Sequence, residues 1–117
     1  MLESLAVNPA VPRGRERITL LEQAVRLDEE VLGGSGANAW DDRRRWVIHM
    51  RALARNHRFA ARDAGDQREQ LALLRRSSDL VWMSYREAEE MARADPSNAE
   101  MLEFVAMLSL EQVRVLD

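Results

Sequence analysis

The chain is 117 residues long, 46% hydrophobic and 32% charged, with a net charge of −3; this is the size of one ordinary domain, and too apolar for wholesale disorder. It holds no cysteine, which excludes disulfides, thiolate nucleophiles and cysteine-ligated metals. No apolar run of about 18 residues offers a membrane span, and no signal-peptide pattern is present, so the expectation is a cytoplasmic protein.

Residues 1–14 carry two of the three prolines and read as an irregular N-terminal arm with a short apolar stretch, Leu2 to Val7. The remainder, 15–117, reads as a single helical domain. From Arg15 to Leu32 apolar residues recur at Ile18, Leu21, Val25 and Leu32, with a second row at Leu20, Ala24, Leu27 and Val31. Steps of three and four are helical spacing. Gly33 is expected to close this helix in the left-handed C′ conformation.

Asn38, with Asp41 three residues on, predicts the capped start of a second helix from Trp40 to Ala64. Gly65-Asp66 breaks it. A third helix, Gln67 to Ala94, carries Leu71, Leu74, Ser78, Val81, Tyr85, Ala88 and Ala92 in alternating steps of three and four, a coiled-coil-like seam. Leu73, Leu80 and Met91 form a second line and Trp82 widens the face, so burial on two sides is expected.

Asp95-Pro96 ends the third helix, because the residue before proline avoids helical geometry. Ser97, with Glu100 three positions on, predicts a capping box for a last helix, Asn98 to Leu116. Leu102, Val105, Ala106, Leu108, Val113 and Leu116, joined by Met101, Phe104, Met107 and Leu110, make that helix apolar nearly all round. It is therefore either central or in contact with another chain, and Phe104, Met107 and Leu110 are the candidate self-association residues of a homo-oligomer. No segment alternates as a strand does. The expected fold is all-α, an antiparallel bundle of about four helices, two of them long.

The segment Asp95-Pro96-Ser97-Asn98, followed by Leu102 and Val105-Ala106, resembles the junction between tetratricopeptide repeats, and Leu53-Ala54 with His57 resembles the first helix of such a repeat. The resemblance implies a peptide-binding superhelix. The family's repeat is about 34 residues, whereas Ala54 to Pro96 covers 42, and both helices are several turns longer than the family's.

Little in the sequence points to catalysis. His49 and His57 belong to no Glu-x-x-His or His-x-x-x-His pair, and His57 falls on an apolar side with Trp46, Met50, Leu53 and Ala61, as a core histidine does. Glu87, Glu89 and Glu90 lie beside Arg86 and Arg93 on a polar face suited to ion pairing. There is no nucleophile elbow and no phosphate loop. The expectation is a non-enzymatic protein with no catalytic residues, metal, cofactor or small-molecule substrate.

Charge is more informative. All 17 basic residues are arginine, the cation suited to bidentate contact with carboxylate or phosphate. Residues 43–76 hold 10 Arg against 3 acids, net +7, between flanks of −4 and −6. In helical projection Arg44, Arg51, Arg55, Arg58 and Arg62 lie within roughly 40° of one line. Ile48 sits inside this row and Phe59 beside it. Three arrangements fit: the row pairs with acidic helices of its own bundle, meets an acidic protein surface (a second copy included), or tracks a nucleic-acid backbone with Phe59 stacked on a base. The expectation is an adaptor or assembly subunit presenting these seven residues to an acidic partner; the alternatives are a small subunit of a nucleoprotein complex and a tetratricopeptide-like module.

Overall fold

A computed structural model describes residues 15–34 and 39–116, the side chains of 113–116 excepted. The expected N-terminal arm and the Asn38 cap lie outside the described residues. Four helices account for nearly all of the described chain: α1 (Arg15–Gly33), α2 (Ala39–Arg62), α3 (Gln67–Ala94) and α4 (Ala99–Leu116). No described residue forms a strand.

The bounds of α3 coincide with the sequence expectation; the ends of the others shift by one or two residues for identifiable reasons. Gly33 stays helical and does not enter the left-handed region. The Gly34 N–H instead turns back to the carbonyls of Glu30 and Val31, at 3.3 and 3.2 Å. Helix α2 stops at Arg62 because Asp63 and Ala64 tighten into bonds with Ala60 and Ala61. Asp66, read from sequence as a breaker, is the N-cap of α3, accepting the Glu69 N–H at 2.7 Å. The expected Ser97 cap is replaced by Asn98, whose side-chain oxygen takes the Met101 N–H at 3.2 Å. The Ser97 hydroxyl is spent on Asp95.

Each helix packs on its neighbour in sequence, α1 on α2, α2 on α3 and α3 on α4. Arg15 pairs with Glu69 at the starts of α1 and α3, and Arg44 with Glu100 near the starts of α2 and α4. The helices therefore alternate in direction, with α2 and α3 as the central pair and α1 and α4 on their flanks. Leu21 and Val25 of α1, Val47, Met50, Leu53 and Ala54 of α2, Leu80, Val81, Ala88, Met91 and Ala92 of α3, and Met101 and Leu108 of α4 form one core.

The buried face of α3 takes Val81, Ala88 and Ala92 from the predicted seam and Leu80 and Met91 from the predicted second line. Ser77, Leu80, Val81, Ser84, Ala88, Met91 and Ala92 are buried, a band turned by roughly 60° from the expected line. Leu71 is 46% exposed and Trp82 52%, the latter meeting Tyr85 edge-on at 5.9 Å between ring centres. The cause is serine. The Ser77 hydroxyl donates to the Ala54 carbonyl at 2.7 Å, tying α3 to α2, and that of Ser84 donates to Leu80 and Val81 within its own helix. With their donors satisfied, both small side chains sit in the core and let α2 and α3 approach closely.

Candidate interaction surface

Helix α2 holds both flanking helices through buried polar pairs. Toward α1, His49 Nδ1 meets Asp28 Oδ2 at 2.5 Å, both residues being buried. Toward α4, the Arg51 Nε–H donates to Glu111 Oε1 at 2.9 Å, and Glu111 is 3% exposed. Neither partnership is evident from hydropathy. The signal that was present is register: Asp28 continues the Leu21–Val25 line and Glu111 the Met101–Leu108 line, so an acid in each apolar row needed a polar neighbour.

His57 is a core histidine, with Nδ1 bonded to the Leu53 carbonyl at 2.9 Å. Burial lowers its pKa from 6.5, the Leu53 bond and Glu22 acting the other way and Arg76 with it. Of the acidic cluster, Glu87 and Glu90 take Arg43 of α2, and Glu89 takes Arg93 at 2.8 Å. Among the described residues no group of three or more His, Cys, Asp or Glu could hold a metal ion. An open depression of about 500 Å³ beside Trp46 is lined by Glu29, Arg43 and Glu87, whose polar groups already bond Trp46 or one another. A smaller groove of about 220 Å³ runs between α1 and α3 over Met50 and Leu53.

The arginine row divides. Arg44 forks onto Glu100, its Nη2 donating to Oε2 at 3.0 Å. This guanidinium holds the Glu100 carboxyl below its ordinary range, against a smaller opposing effect of burial. Arg51 is spent on Glu111. Ile48 lies between these arginines on α2, as Phe104 and Met107 lie between Glu100 and Glu111 on α4, and all three apolar residues are half-buried. Arg44 and Arg51, expected to meet an outside partner, thus bond carboxylates of α4 within the molecule, and Phe104, expected to meet another copy, packs against the core. The physical reason is topology: α4 packs on α3 and runs parallel to α2, which brings Glu100 and Glu111 within reach of the first half of the row. Magnitudes assign the roles. Burying Met101 and Leu108 contributes about 2 kcal/mol each, whereas an exposed pair such as Arg44–Glu100 contributes below about 1. Packing holds α4 down, and the ion pairs set its register.

The second half of the row is different. Arg55 and Arg62 are exposed, and no carboxylate of the described residues pairs with either. Phe59 is half-buried, with the Arg58 and Arg62 guanidinium groups 5.8 and 5.4 Å from its ring centre. Such stacking occupies the face of the Arg62 guanidinium and leaves its in-plane N–H donors for a carboxylate. The ring is already engaged by cations, which disfavours its use as a platform for a base. On α4, Leu110 is 60% and Leu102 51% exposed, away from the α2 edge. No family model matches the chain, and no curated protein or solved structure is significantly similar to it.

Proposed function

We propose that this protein is a non-enzymatic helical adaptor or assembly subunit of the cytoplasm. It docks an acidic protein surface on the second half of the α2 arginine row: Arg55, Arg58 and Arg62 with Phe59. One observation carries the reading. On a single helix face, α4 carboxylates take up Arg44 and Arg51, while Arg55 and Arg62 stand exposed without a carboxylate among the described residues. Two guanidinium groups seven residues apart, on a helix fixed by the core, are a pre-organised pair of bidentate donors. Leu110 with Leu102 supplies the remaining apolar surface for self-association. No described helix is long and apolar enough to cross a membrane.

The rival reading is a nucleic-acid backbone. The net charge of −3 and the cation-covered Phe59 ring weigh against it. Titration of fluorescent poly-L-glutamate and of a single-stranded oligonucleotide, at low and moderate salt, separates the two. Poly-glutamate is expected to bind, and Arg55→Ala with Arg62→Ala to weaken it about tenfold, equivalent to about 1.4 kcal/mol. Tighter binding of the oligonucleotide, or an unaffected double variant, overturns the reading.

A further inference from the structure

The two halves of the α2 face repeat one pattern. Arg44, Ile48 and Arg51 follow steps of four and three, and Arg55, Phe59 and Arg62 follow the same steps eleven residues later. Eleven residues are three helical turns within about 20°, so the second set stands directly above the first on one face. Each set is cation, half-buried apolar residue, cation.

The first set is occupied, and its occupant is visible. Helix α4 places Glu100 on Arg44 and Glu111 on Arg51, and Phe104 and Met107 fall between the two acids in its sequence. The fold therefore displays a partner that this spacing of arginines accepts: a helix running parallel to α2 that carries two carboxylates.

We infer that the second set is a binding site for an amphipathic acidic helix of another protein, running beside α2 in the direction that α4 does. Its carboxylates bond Arg55 and Arg62, and its apolar residues pack beside Phe59 between them. This rests on the proposed function and narrows it from an acidic surface to a helix of defined spacing. Charge complementarity and continuity with the α2–α4 edge select this occupant.

The test uses the full chain and a labelled synthetic helical peptide of glutamate and alanine residues, carrying two Glu eleven residues apart with Phe and Met between them as in α4. Fluorescence anisotropy is expected to show salt-sensitive binding. It should weaken at least tenfold when the two spaced Glu are Gln, when the composition is scrambled, and in Arg55→Ala with Arg62→Ala. Phe59→Ala is expected to weaken it severalfold, while Arg26→Ala, on the α1 surface, leaves it unchanged. Circular dichroism melting checks that each variant folds. Equal binding of the scrambled peptide overturns the helix-spacing inference and leaves the acidic-surface reading standing. No binding to any acidic probe overturns both. A dimer that blocks the peptide and dissociates in the Arg55, Arg62 variant overturns the choice of a foreign partner in favour of a second copy.

Discussion

Arg51 and Arg62 share a helix, a face and a flanking apolar residue, yet the fold uses them in opposite ways. Arg51 lies at an edge that α4 covers, so its guanidinium compensates a buried carboxylate. Arg62 lies on the same line where no described carboxylate reaches it, and it keeps its donors at the surface over Phe59. Residue type and helical phase do not separate these outcomes; what another helix lays over each position does. A row of like charges on one helix is thus two objects, one bonded within the fold and one left exposed among the described residues.

The largest expected consequence concerns the covered half. Arg51→Ala leaves Glu111 buried without its cation, and should cost about 3 kcal/mol in urea unfolding. Arg51→Met combined with Glu111→Leu should recover most of that loss, because an apolar pair replaces a desolvated ionic one. A small effect of the single variant would show that the pair is not buried as described.

A second effect is pH dependence. Burial lowers the His57 pKa from 6.5, so below that value the unfolded chain binds more protons than the folded one. Stability should fall on acidification through 6.5 and downward, and His57→Gln should flatten that part of the curve. The Glu100 carboxyl, depressed by Arg44, adds a smaller loss at lower pH, as it is protonated. Unfolding midpoints measured across pH in both proteins give the comparison.

The exposed pair at the edge should matter less. Arg44→Ala is expected to cost about 0.5 kcal/mol, further reduced by salt. Smallest of all is the stability change from Arg55→Ala or Arg62→Ala, about 0.5 kcal/mol or less each, since neither supports a described carboxylate. A gradient from Arg51 through Arg44 to Arg55 is the thermodynamic signature of the division.

Much of the fold was legible because periodicity and breakers agree along α3, whose bounds Gln67–Ala94 match the expectation. Its face is centred nearer the second line, Leu80 and Met91, because Ser77 and Ser84, to which hydropathy gives no weight, each find a carbonyl and pack as small core residues. The cap of α4 moved from Ser97 to Asn98 since Asp95 captures the serine hydroxyl. The arginine line itself is visible in projection, and pairing with acidic helices of the same chain is one of the three arrangements that it fits. Which arginines pair was not visible, because that depends on the position of α4 in space. The eleven-residue recurrence stood in the sequence throughout; it acquires meaning only once α4 is seen on its first copy.

The most direct test places two double variants side by side: Arg44→Ala with Arg51→Ala, and Arg55→Ala with Arg62→Ala, each titrated with the acidic helical peptide after its unfolding free energy is measured. The account predicts that the first pair loses stability by about 3 kcal/mol or more and that the second keeps its stability while peptide affinity falls at least tenfold. A second pair that binds the peptide as the parent chain does would contradict it.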